Sequence, residues 1–459
     1  MESKMEVWNQ RLEVRGWRLG VRGWRMGVRG WRLEVGGWFQ ALLTSNFNLL
    51  ISKFLLTAIF YLLASNTFSQ SLEQYQKIAA EKNPGLKAAY KNFESALQRV
   101  TQVSSLPDPN LSFGYFISPV ETRVGPQQVR FSLTQMFPWF GTLKTQEGAA
   151  SLMAEAKYQA FLDARNQLYY QVSASYFPLY ELQMLIKIEE ENIRILSSYK
   201  DIATVQYQNG KGDMVDVLRV DIMLNDARNN LSILQQKKKP LKTRFNKLLN
   251  REDDESITVP DSLSTINLPS GYRKDSLLAS SPLLDELTLK IQASKTNEEV
   301  AVKQGLPKLG LGLDYVMVGQ RTDISIPDNG KNVFMPMVSV SLPIFRKKYK
   351  AAQKEAQLMQ ESFSLQKEDV SNQLSSSYEM VWFEIQEQAA FTELYEGQIK
   401  ASKQSLSLLL KAYSQSGTAF EEVLRMQQQV LKYEKMKITA LSEYHISVAE
   451  LDYITAKSK

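Results

Sequence analysis

From Asn83 onward the chain follows one plan twice. NPGLKAAYKNFESALQRVTQVSSLPDPNLSFGYF, from Asn83, is answered about 200 residues later by SPLLDELTLKIQASKTNEEVAVKQGLPKLGLGLDYV, from Ser281. Leu106-Pro107 stands against Leu306-Pro307. FSLTQMFPWFG is answered by VSVSLPIFRKK, with Pro138 against Pro343, and SASYFPLYEL by SSSYEMVWFEI. YQNGKGDMVDVLR is answered by YSQSGTAFEEVLR, with Tyr207 against Tyr413 and Val217-Leu218-Arg219 against Val423-Leu424-Arg425. Four matched anchors in the same order make an internal duplication, so the fold must consist of two copies of one unit.

Each copy has the order helix, strand, loop, strand, very long helix, Gly turn, helix. From Ile344 to the end there is no Pro and only two Gly, Gly397 and Gly417. Lys347–Gln415 can therefore run as one helix of roughly 100 Å at 1.5 Å per residue. Thr142–Gln208 is its counterpart, with Pro178 as the place for a bend. Leu406, Leu409, Leu410 and Tyr413 follow the helical period, and Leu424, Leu431, Ile438 and Val217, Leu224, Leu231 recur every seven residues. Such stripes alone also suit an ordinary helical bundle. The expected class is mainly α with a small β part.

Four candidate strands alternate apolar and polar residues. Leu111, Phe113, Tyr115 and Ile117 oppose Ser112 and Gly114; Val129, Phe131 and Leu133 oppose Arg130, Ser132 and Thr134. Leu309, Leu311, Leu313 and Tyr315 oppose Gly310, Gly312 and Asp314; Val338, Val340 and Leu342 oppose Ser339 and Ser341. That is the length and period of a tilted transmembrane strand, although a small soluble sheet with one buried face alternates likewise. In lipid only a closed barrel satisfies the backbone. Four strands are too few to close around a lumen, so a barrel would be shared between chains. The lipid-facing candidates are Phe113, Tyr115, Phe131, Leu133, Leu311, Leu313, Val338 and Val340. Pro138, Gly141 and Pro343 mark the strand-to-helix joints, and the joint with Gly141 is expected to bend more sharply than its echo, where Arg346 stands.

The amino-terminal end lies outside this plan. In residues 1–45, Trp17, Trp24, Trp31 and Trp38 recur every seven residues. A basic aromatic segment on a membrane surface is one reading. Most units carry two Gly, costing a helix about 1 kcal/mol each, so a translated tandem repeat ahead of the true start is the preferred one. Residues 46–69, NFNLLISKFLLTAIFYLLASNTFS, read as a secretory signal peptide, with a retained signal anchor as the alternative. Residues 1–69 hold 9 Lys/Arg against 4 Asp/Glu, leaving 46 against 45 in the rest. The net charge of +6 is thus no nucleic-acid footprint. With no Cys and a single His, His445, no metal or cofactor site is expected. No nucleophile elbow, phosphate loop or HExxH motif occurs, so no enzyme is expected. Glu189-Glu190-Glu191 and Asp253-Asp254 read as solvated charge.

From about Ser71 to Lys459 these residues resemble the TolC family of outer-membrane channel proteins. The resemblance rests on the duplicated plan, the junctions FPWFG and LPIF, and the turns YQNGKGDMVDVL and YSQSGTAFEEVL. It implies repeats over 70–250 and 281–459 joined by a linker over 251–280, which is short for the family. It implies a homotrimer whose twelve strands form one barrel in outer-membrane lipid, continued by a helical tunnel through the periplasm. The implied function is a passive exit duct fed by an inner-membrane pump of the RND or ABC type and a periplasmic adaptor. The adaptor would dock at the tips, on Asn209, Gly210, Lys211, Ser416, Gly417 and Thr418, although a helical hairpin needs a Gly there in any case. Asp213, Asp216, Glu421 and Glu422 are candidates for an acidic constriction of the lumen, or for solvated tip charge. A periplasmic helical scaffold or adaptor protein without a pore is the alternative function.

Overall fold

A computed structural model describes residues 71–266, 280–416 and 420–457. The repeat leader and signal peptide, the linker from 267 to 279, and Gly417 and Thr418 at the second tip lie outside the described residues. Eleven elements run in this order: α1 (Leu72–Lys82), α2 (Pro84–Ser104), β1 (Asn110–Val120), β2 (Gln127–Phe137), α3 (Thr142–Gln208), α4 (Met214–Leu248), α5 (Pro282–Gln304), β3 (Lys308–Val318), β4 (Val333–Ser341), α6 (Lys347–Ser416) and α7 (Phe420–Ile454). After α1, the second half thus repeats the element order of the first.

Helix starts are set by local chemistry. Ser71 and Gln74 form a capping box for α1, the Asn83 side chain accepts from Leu86 N ahead of Pro84 in α2, and Asp213 caps α4 through Val215 N. Within α3 the chain continues through Pro178, and α3 and α6 span 67 and 70 residues. At 1.5 Å per residue each is about 100 Å long. Gly210 ends the first long helix with φ 72°, where a side chain would be strained.

The central helix α3 packs against α1, α2, α4, α5 and α7, while α6 packs against α5 and α7. The heptad positions are the contacts: Leu196, Tyr199, Ala203, Val217, Val220, Leu224, Leu406, Tyr413, Val423 and Leu424 share one core where the two hairpins meet. A second core lies halfway along, where Tyr75, Val172, Tyr176, Phe177, Phe245 and Leu249 are buried. Among the described residues no helix is long and apolar enough to cross a bilayer.

The four strands form one antiparallel sheet in the order β1-β2-β3-β4. Its register aligns most of the apolar positions in rows across the strands. Phe113 pairs with Phe131, which pairs with Tyr315, which pairs with Phe334; Gln135 pairs with Leu311 and Leu311 with Val338. One face therefore carries Leu111, Phe113, Tyr115, Phe131, Leu133, Leu311, Leu313, Val338 and Val340, and all of them are exposed, Val338 by 74%. A soluble sheet would bury such a face against a second layer.

On the opposite face Arg130 and Ser132 both donate to the Asp314 carboxylate, which is fully buried. Ser112 Oγ donates to Ser132 O at 3.4 Å. At the loop end this face is apolar, because Val316 and Val318 are buried there. The two loops are tied together by Gly319 N donating to Pro126 O and Gly330 N to Val124 O, each at 2.7 Å.

Phe131→Lys should destabilise the assembled protein by about 2–4 kcal/mol if the apolar face meets hydrocarbon. Ser112→Lys, on the other face, should be tolerated. The measurement is the yield of SDS-resistant oligomer from membranes carrying each variant.

Candidate functional site: joints, tips and the polar network between hairpins

Both strand-to-helix joints are held by the end of α5. At the first, Pro138 closes the strand and Gly141 takes φ 77°, directly before α3. Lys303 Nζ donates to Gly141 O at 3.4 Å and to Thr145 Oγ1 at 2.6 Å. At the second, after Pro343, Arg346 Nη1 donates to Gly305 O at 2.8 Å, and no residue from Leu342 to Arg346 has positive φ. The two joints are thus built differently, by a left-handed glycine in one and an arginine anchor in the other.

At the tips, Asn209, Gly210 and Lys211 form the exposed turn after α3, and a Cβ on Gly210 would meet nothing within 4 Å. Ser416 is the last residue of α6. The acidic candidates have distinct surroundings. The Asp213 carboxylate is the cap of α4, accepting from Val215 N at 3.1 Å. Glu422 pairs with Arg425 on its own helix, whereas Glu421 lies 3.1 Å from Arg219 on the other hairpin. Asp216 lies 3.7 Å from Arg219. Burial raises the Asp216 pKa and Arg219 opposes that rise, while Asp213 and Glu421 add to it. The matched residues Arg219 and Arg425 therefore do different work: of the two, Arg219 ties one hairpin to the other.

Glu189 corrects the reading of Glu189-Glu190-Glu191 as solvated charge. It is 1% exposed and its carboxylate accepts from Lys435 Nζ on α7 and from Asn192 Nδ2. Gln427 Nε2 donates in turn to Asn192 Oδ1 at 3.4 Å. Glu190 and Glu191 are exposed. The missed signal is heptad phase, since Glu189 falls seven residues from both buried Leu182 and buried Leu196.

Halfway along the helices the linker is strapped down by side chains. Thr258 N donates to Tyr75 Oη at 2.9 Å, Leu263 N to Tyr180 Oη at 3.2 Å and Tyr444 Oη to Ile266 O at 2.6 Å. His445 stacks on Phe177 and places Nε2 3.1 Å from Ser264 O; burial lowers its pKa. The lone histidine thus holds the strap. Among the described residues no cluster could hold a metal ion. Nearby, burial and the Glu286 charge push the Asp163 pKa up to about 6, against a hydrogen bond from Tyr453. Burial, Glu181 and Glu384 likewise raise Glu443.

Residues 76–251 match the model of the outer membrane efflux protein family. That stretch covers the first of the two repeated units, from α1 to the end of α4. No curated protein sequence matches it. Its fold matches the outer-membrane channel OprN with a TM-score of 0.70 at 18% identity, covering 84% of this chain and 90% of that one. The CusC channel gives 0.71 at 15% identity, covering 84% and 92%. The open MtrE channel of Neisseria gonorrhoeae gives 0.69 at 16%, covering 84% and 89%. The family match ends at 251, while the element order repeats from Pro282 onward.

Lys435→Ala strands a buried carboxylate and should destabilise the helical part by about 3–5 kcal/mol, whereas Glu189→Leu with Lys435→Met should cost far less; denaturant unfolding of both variants measures this. The Asp163 carboxyl binds its proton up to about pH 6 when folded but only to 3.8 as a free side chain. Stability should therefore fall as pH rises from about 4 to 6. Asp163→Asn should remove that fall, gaining on the order of 1 kcal/mol at pH 7.5 after solvent screening and nothing below pH 4, measured as Tm against pH.

Proposed function

We propose that this chain is an outer membrane efflux protein and that three copies form one exit duct, with repeats over 70–250 and 281–459 and the linker over 251–280. The observation that carries the reading is the sheet: four strands with one exposed apolar face and two edges, β1 and β4, each paired on one side. In hydrocarbon those edges must pair, and β1 of one copy against β4 of the next closes a ring. Two copies would give eight strands, whose interior side chains fill. Three give twelve and leave a lumen. Below the membrane α3, α4, α6 and α7 of three copies would make twelve helical segments around the same axis, each long helix reaching roughly 100 Å into the periplasm.

The duct is passive. It recognises no cargo and catalyses nothing; an inner-membrane pump, of the RND or ABC type, and a periplasmic adaptor load it. The adaptor docks at the tips, at Asn209, Gly210 and Lys211, where backbone is open, and at Ser416, Gly417 and Thr418. Asp213, Asp216, Glu421 and Glu422 form the acidic constriction, and Arg219 holds it narrow by pairing with Glu421 across the hairpins. A scaffold without a pore is disfavoured, because nothing among the described residues covers the apolar face of the sheet.

Purified trimer in a planar lipid bilayer should conduct ions in discrete steps. Arg219→Ala should raise the conductance severalfold at unchanged trimer yield. Protein that inserts without conducting, or stays a soluble monomer, would contradict the reading.

A further inference from the structure

The apolar face of the sheet does not stop where strand pairing stops. Val338 and Val340 on β4 continue in the same phase into Leu342 and Ile344, which are 67% and 75% exposed, and Phe345 beside them is 83% exposed. Across the sheet Trp139 and Phe140, in edge contact at a centroid distance of 6.0 Å, are exposed at the first joint. Large exposed apolar and aromatic side chains at the end of a lipid-facing sheet belong at the headgroup level.

Beyond Phe345 the second joint turns cationic. Arg346, Lys347, Lys348 and Lys350 are all exposed, and no carboxylate stands between Val333 and Lys354. Among the described residues none of the four has an acidic partner. Arg346 Nη1 is taken by Gly305 O, and Lys348 Nζ lies 4.8 Å over the Tyr349 ring. Tyr349 itself packs against Gly305, where an added Cβ would lie 3.3 Å from its ring, so the lysines on either side of it project off the α5 contact. Their placement does not serve the helix, since the first turn of α6 carries the positive end of the helix dipole and disfavours cations. The first joint carries a smaller surplus, Lys144 and Lys303 against Glu147, and Lys303 is taken by Gly141 O and Thr145 Oγ1.

We propose that the second joint binds anionic phospholipid of the periplasmic leaflet: Leu342, Ile344 and Phe345 lie among the acyl chains, and Lys347, Lys348 and Lys350 hold the headgroup phosphates. The lipid is a phosphatidylglycerol-type anion rather than a zwitterion, because three uncompensated ammonium groups per copy meet it. Each Lys near an anionic membrane surface favours binding by a factor of about five. The proposal rests on the sheet lying in the membrane, and the test separates the two.

Past residue 70 the chain has two tryptophans, Trp139 and Trp382, so in the chain from residue 70 Trp382→Phe leaves one reporter, at the first joint across the sheet from the lysines. That trimer is reconstituted in phosphatidylcholine vesicles doped with brominated phosphatidylglycerol or with an equal fraction of brominated phosphatidylcholine. Brominated phosphatidylglycerol should reach half-maximal quenching of Trp139 at a several-fold lower fraction. The preference should vanish in Lys347→Gln/Lys348→Gln/Lys350→Gln and fall at high salt. It should survive in Lys237→Gln/Lys238→Gln/Lys239→Gln on α4, a lysine run remote from the strands. Equal quenching by both lipids, or a preference indifferent to the joint lysines, overturns the phospholipid site and leaves the barrel standing. No quenching by either lipid removes the membrane placement itself, and the site with it.

Discussion

A backbone N–H or C=O that faces hydrocarbon has no water to bond, and this requirement governs the architecture proposed for the assembled protein. The sheet meets it internally for three strand pairs and leaves it open at the outer sides of β1 and β4. In the proposed barrel, everything above the joints therefore depends on other copies of the chain. Below the joints the backbone is satisfied within each helix, and the helices are free to be long, polar outside and held by heptad contacts. The joints separate these two regimes. Their Pro residues end the ladder, and α5 supplies the cation, at Lys303, and the carbonyl, at Gly305, that fix the chain as it turns.

Duplication gives two copies of the unit, but the copies are not equivalent in chemistry. Gly141 is replaced by Arg346, which changes a left-handed turn into a side-chain anchor and leaves a basic joint at one site per copy. Arg219 reaches Glu421 on the other hairpin while its counterpart Arg425 stays with Glu422 on its own helix. The Glu189–Lys435 pair also joins the two halves, inside the bundle rather than at its end. Such a pair is costly to break by removing one partner, because the buried carboxylate is then left uncompensated.

Most of the fold was legible because its signals are periodic. Alternation marked all four strands, and the register places Phe113, Phe131 and Tyr315 in one row. The lack of Pro after Ile344, and of any Gly but Gly397 before Gly417, marked α6 almost to its last residue. The contacts that join distant parts carried no periodic signal. Arg130 with Asp314, Arg219 with Glu421, and Tyr75 or His445 with the linker backbone are pairings over long sequence separations, which one sequence does not encode locally. Glu189 was misread because a carboxylate in a run of three looks solvated, although its heptad phase is that of Leu182 and Leu196. The linker looked polar, yet Ile257, Val259 and Leu263 pack against the buried core beneath it.

Closure of the barrel requires β1 of one copy to pair with β4 of another. The chain contains no cysteine, which makes a cross-linking test clean. Within one copy β1 and β4 are three strand spacings apart, roughly 14 Å, too far for a disulfide. Cysteines placed singly along β1, at Ser112 or Gly114, are combined with cysteines along β4, at Ser339 or Ser341, and oxidised in the outer membrane. Paired variants should give covalent dimers and trimers on denaturing gels, with no species beyond the trimer, while single variants stay monomeric. A chain that remains monomeric across every combination, though membrane-inserted, would contradict the shared barrel.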